Sequence, residues 1–131
     1  MRMMILALAA TASACTSRQD VLSVAPMIDE VHRGDYEVAA GCVYNALMAR
    51  VSGHLIAHDI RHVRVGKREI EVQQAASSGY TGTIYGAVVR LSPIDDDRYR
   101  VSVQATYDIN GRWGIDAVRQ CTAASDRAAI R

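Results

Sequence analysis

Hydrophobic positions along the chain fall into two regimes that meet near Gly53. Between Tyr36 and Gly53 the apolar residues Ala39, Cys42, Val43, Ala46, Leu47 and Val51 recur at helical spacing. They form a stripe roughly 100° wide that predicts an amphipathic helix, with Asp35 placed to cap it. Ahead of it, Pro26 at a first helical position, Asp29 and Glu30 early, His32 and Arg33 late and Gly34 as a stop predict one short helix. After Gly53 the period shifts toward two. Residues 54–65 are rich in β-branched side chains, Gly66-Lys67 offers a turn, and Ile70 and Val72 then alternate with Glu69 and Glu71, which together read as a hairpin.

Ala75 to Gly79 reads as a small-residue loop, and the segment from Thr81 to Leu91 is apolar on both parities, as a central or doubly covered strand would be. Ser92 to Asp97 makes the next turn. Tyr99, Val101, Val103, Ala105 and Tyr107 then share one face of a strand whose other face carries Arg98, Arg100, Ser102, Gln104, Thr106 and Asp108. Asn110-Gly111 is a strong hairpin signal and leads to a last predicted strand, with Trp113, Ile115, Ala117 and Cys121 on one parity. Val118 sits on the other parity and is discordant with that strand. The expected fold is α+β: a short helix and one longer N-terminal helix packed on an antiparallel meander of four or five strands.

Residues 1–14 stand apart from both regimes. Arg2 supplies a positive end, Met3 to Ala10 an uncharged apolar run, and Ala12-Ser13-Ala14 a small-residue cleavage site. A membrane-spanning helix needs about 20 apolar residues, and this run passes too soon into Thr16, Ser17, Arg18, Gln19 and Asp20. Ala12-Ser13-Ala14-Cys15 resembles the lipobox of bacterial lipoproteins, with Ala12 where that family usually has Leu. The resemblance covers the first fifteen residues only. It implies a signal peptide at 1–14 and a thioether-linked diacylglycerol on Cys15, with a third acyl chain commonly added to its amine. Several acyl chains, each methylene contributing about 0.8 kcal/mol, make a permanent anchor. Thr16 follows Cys15 where the family uses Asp for inner-membrane retention, so the resemblance implies the outer membrane, facing the periplasm. An ordinary secretory peptide cut after Ala14 is the competing reading.

With Cys15 taken as the anchor, the remaining two of three cysteines, Cys42 and Cys121, make one pair with a single connectivity in an oxidising space. Their alternative is a pair of buried free thiols. As the helix stripe holds Cys42 and the last strand Cys121, the expected link is helix to sheet. No Cys-x-x-Cys or Cys-His spacing suggests a metal site around either residue. Removal of residues 1–14 leaves 117 of the 131 residues, 14 basic side chains against 14 acidic, and thus zero formal charge. No global charge steers such a domain to nucleic acid. The expected organisation is a signal peptide at 1–14, a lipid-anchored tether at 15–25 and a single domain at 26–131.

Candidate chemistry is sparse. His54, His58 and His62 are spaced by four. On a helix neighbours would rise about 6 Å apart on one face and an adjacent pair could chelate zinc. On a strand they would stand about 13 Å apart, and the β-branched context favours the strand. Arg61, Arg64, Lys67 and Arg68 could form a basic patch for lipid headgroups or an acidic partner. Asp95, Asp96 and Asp97 read as a solubilising turn rather than a calcium loop. The chain has no nucleophile elbow, metalloprotease helix motif, phosphate-binding loop or paired-cysteine redox motif. The expectation is therefore a non-enzymatic binding or assembly protein of the cell envelope, with no cofactor and with an envelope protein as partner. The alternative is a membrane-tethered inhibitor or immunity protein against an envelope-targeted enzyme.

Overall fold

The computed structural model describes residues 16–52, 58–78 and 82–129. Its centre is a five-stranded antiparallel sheet in the order β1-β5-β4-β3-β2, built from β1 (Ile28–Arg33), β2 (His58–Val65), β3 (Glu69–Ser78), β4 (Gly82–Pro93) and β5 (Arg98–Ala105). Among the described residues three helices accompany it: α1 (Arg18–Leu22), α2 (Tyr36–Val51) and α3 (Asp108–Ala129). The class is α+β. Helices α2 and α3 cover one face, burying Val43 and Leu47 against Ile70, Val72, Val89, Leu91, Tyr99, Val101 and Val103. Strand β4 lies in the middle, and its mixed apolar parity follows from double coverage: Val89 and Leu91 meet the long helices, while Val88 is buried on the other face.

The longer helix forms where the stripe predicts it. Asp35 caps it by accepting hydrogen bonds from the backbone N–H groups of Glu37 and Val38, and Ala39, Ala40, Val43 and Leu47 are its buried positions. The β2–β3 hairpin turns at Gly66, whose φ of 67° lies in the left-handed region that glycine enters without penalty.

Three expectations are corrected. Residues 28–33 are edge strand β1, paired with β5 from Ile28↔Val103 to Arg33↔Arg98, and not a short helix. The residues that mimic helix caps also alternate, with Ile28, Glu30 and His32 turned inward, and pairing with the apolar face of β5 decides for the strand. The terminal segment is helix α3, not a strand. Its buried residues Gly111, Gly114, Ala117, Val118 and Cys121 follow a spacing of three and four, and Val118, discordant in a strand, belongs to that stripe. The disulfide Cys42–Cys121 consequently joins helix to helix, α2 to α3, with the two Cα atoms 5.8 Å apart.

Asn110-Gly111 therefore makes a helix start and not a hairpin turn, for a packing reason. A Cβ on Gly111 would lie 2.9 Å from the Ala105 Cβ and would also overlap Met27, so glycine lets α3 approach the end of β5. Gly114 performs the same service one turn later, against Val103 and Val89.

On the opposite face the segment read as a tether contains α1. Ser17 and Asp20 close a capping box around it, and Val21 is fully buried. The Gln104 side-chain amide, on the outer face of β5, donates to the backbone oxygens of Leu22 and Val24 at 3.0 and 2.8 Å. Five residues cannot sustain a helix alone, so these tertiary contacts hold it.

Candidate functional site

Strand alternation determines where the sequence candidates fall. Even-numbered residues of β2 face α2 and α3: the His58 ring lies 5.6 Å from Trp113 of α3 and the His62 ring 6.0 Å from Tyr44 of α2. Being four residues apart on a strand, the two histidines meet different helices and not each other. His54, like Cys15, lies outside the described residues. Among the described residues no group of three or more His, Cys, Asp or Glu is placed to hold a metal ion.

The four basic residues are also divided. Arg61 points to the outer face, pairs with Asp59 at 2.6 Å and donates to the Tyr85 hydroxyl at 3.1 Å. Arg64 points the other way, to the Tyr36 hydroxyl at 3.2 Å and Glu37 at 3.0 Å. Both guanidinium pKa values are raised, through hydrogen bonds led by Asp59 for Arg61 and by Tyr36 for Arg64. Lys67 and Arg68 are exposed at the hairpin turn. Asp95 is hydrogen-bonded to Arg98, which holds its pKa at about 2, and the Asp97 carbonyl accepts from the Gly34 N–H at 2.7 Å. These acidic residues fasten the turn that ends β4.

The feature that sequence reasoning missed is an apolar cleft of about 440 Å³ at the other end of the sheet. A bulge makes it. The β3–β4 register slips between Gln74 and Ala75, so that Gln74 faces Ala87 while Ala75 faces Tyr85, and Gly86 is the extra residue. The first turn of α3 lies across that bulge. A Cβ on Gly86 would come within 2.7 Å of the Asn110 side chain, so glycine leaves that amide room to lie against the bulge. Gln74 secures it by donating to the Asn110 carbonyl at 2.8 Å, and the Asn110 amide donates back to the Gln74 side-chain oxygen at 3.3 Å.

The cleft opens beside this junction, between Ala76 and Ile84 on the strands and Tyr107, Ile109 and Trp113 at the start of α3, with His58 at its side. Gln74 and Asn110 satisfy each other, so the pocket offers apolar surface with few polar demands, and its size is that of ordinary small-ligand sites. Ile109 remains 59% exposed and Tyr107 44%. Trp113, the single tryptophan, is also covered by the Arg50 guanidinium 5.6 Å from its ring. The cleft is hidden in the sequence because the period-two pattern places Tyr107 and Trp113 on strands. The available signal was the coincidence of aromatic residues with helix-spaced Gly111, Gly114 and Val118.

Thr16, the first described residue, lies at this same end. The Tyr85 N–H donates to the Thr16 carbonyl at 2.9 Å, and the Thr16 hydroxyl lies 3.5 Å from that of Tyr107, a residue of the cleft lining. The far end of the sheet is charged instead: Asp35, Glu37, Arg68, Asp95 and Arg98 surround a polar depression there. No known family model and no curated protein matches this chain.

Proposed function

We propose that the protein is a small lipoprotein of the cell envelope, anchored through acyl chains on Cys15 at the periplasmic face of the outer membrane, with a non-enzymatic binding or assembly role toward an envelope protein. The observation that carries this reading is the Cys42–Cys121 link between α2 and α3, a bond that persists in exported proteins and is rare in reducing compartments. It agrees with the leader-like residues 1–14 and accounts for the odd cysteine as the lipidated one. The polarity of the two ends supports the same arrangement. The end at which Thr16 docks is apolar and suited to lie near lipid, whereas the charged end would project toward the periplasm and a partner.

Intact mass and membrane fractionation test the anchor. The native chain is expected in the outer-membrane fraction, lacking residues 1–14 and heavier by its acyl groups, and Cys15→Ala should abolish both the added mass and the attachment. An uncut chain in the cytosol with three free thiols would remove the reading. Crosslinking in intact cells followed by purification is expected to capture a stoichiometric envelope protein, and a partner recovered only from the cytoplasm would contradict the proposed role.

A further inference from the structure

We propose that the apolar cleft is the resting place of one of the acyl chains carried by Cys15, so that the anchor is folded partly into the domain it tethers. The inference rests on the lipidation reading above and adds an occupant and a site to it. Its basis is the shared position of Tyr107, whose hydroxyl lies 3.5 Å from that of Thr16 and which lines the cleft together with Ile84, Ile109 and Trp113. Thr16 is fixed there by the Tyr85 N–H, and Cys15 is the next residue, at most about 3.8 Å further along the backbone. A hydrocarbon chain attached at that point meets the cleft intramolecularly, at an effective concentration on the order of millimolar. The lining fits a hydrocarbon rather than a polar ligand, because the two amides nearest it, Gln74 and Asn110, are bonded to each other. With one chain in the cleft and the others in the membrane, the apolar end of the domain would be drawn onto the lipid surface.

Trp113 provides the readout, as the single tryptophan and a wall of the cleft. Dibromostearate, whose bromines quench tryptophan on contact, is titrated into two forms: the acylated native protein in nanodiscs, and unacylated residues 15–131 bearing Cys15→Ser, which retain every element of the fold. The unacylated form should show saturable quenching, and the acylated form should need at least about tenfold more probe because its cleft is filled. Ile109→Asp, at an exposed position on the rim, should weaken quenching of the unacylated form while circular dichroism stays unchanged. Absence of quenching in both forms, or equal quenching in both, would overturn the proposal. So would quenching of the acylated form by brominated phospholipid in the nanodisc, which would assign the cleft to bilayer chains instead. An intact mass without acyl groups removes lipidation and this occupant together, whereas equal quenching with the acyl mass present removes the occupant alone.

Discussion

Glu71 is the most consequential polar residue of the sheet. Its side chain is fully buried and receives a two-pronged hydrogen bond from Arg18, Nε to Oε1 at 2.7 Å and Nη2 to Oε2 at 2.5 Å. The Arg18 pKa is raised, first by that hydrogen bond. Arg18→Ala would leave a carboxylate in the interior without its charge partner and should cost about 3 kcal/mol, read as a lower urea midpoint at unchanged slope. Glu71→Gln in the same background should recover part of the loss, since the uncompensated charge is gone. Glu30 makes the corresponding contact on the other face, with Arg119 at 2.6 Å and His32 at 2.7 Å. Its pKa lies below the usual 4.5, chiefly through the Arg119 hydrogen bond and despite desolvation. Because the folded value is the lower one, this contribution is complete above about pH 4.5 and fades as acid carries the carboxylate through its depressed value. Asp29 and Asp20 are shifted in the same direction, by Arg100 and by the Ser17 cap. Denaturation midpoints followed from neutral to acidic pH should therefore stay level and then fall, and Glu30→Gln should make the fall shallower.

At the scale of elements, the two long helices are joined to each other more firmly than either is joined to the sheet by charge. The disulfide closes a separation of 79 residues. In the chain-entropy model such a closure is worth about 4.5 kcal/mol, so paired Cys42→Ser and Cys121→Ser changes, or reduction, should lower the melting temperature by many degrees. Gly111→Ala should cost about 1–3 kcal/mol by pushing α3 off Ala105, detectable as a lower denaturation midpoint. The same glycine explains why the fold was only partly legible. Helix α2, the β2–β3 hairpin, β4 and β5 each carry a periodicity that their tertiary setting reinforces, and they form largely where the pattern predicts, although β3 continues through residues 75–78 and β5 ends at Ala105, short of Tyr107. Residues 28–33 and 108–129 carry local signals that tertiary contact overrides: cap-like charges in an edge strand, and a turn-forming Asn-Gly pair used to bring a helix close. Cys42 and Cys121 could be paired by counting, and the helical stripe places Cys42 correctly on α2, whereas the alternating pattern puts Cys121 on a strand where the fold has α3. The cleft was least legible of all, because it depends on a register slip at Gly86 that no spacing along the chain announces.

The whole molecule is a sheet with unlike ends. Hydrocarbon and aromatic side chains gather where Thr16 docks, and guanidinium and carboxylate groups gather at the β2–β3 and β4–β5 turns. Many of the surface charges are already matched within the fold, as in Arg98–Asp95, Arg100–Asp29 and Arg64–Glu37, and each such exposed pair adds little to stability. The arrangement of the first residues also has a mechanical side. Tension applied at Thr16 enters the protein through the hydrogen bond to Tyr85 in the middle strand and then through the Arg18–Glu71 clasp on its neighbour. The load would reach the interior strands first, bypassing edge strand β1, which could otherwise unzip one bond at a time. A domain pulled from Thr16 should withstand force better than one pulled from the rim of its sheet.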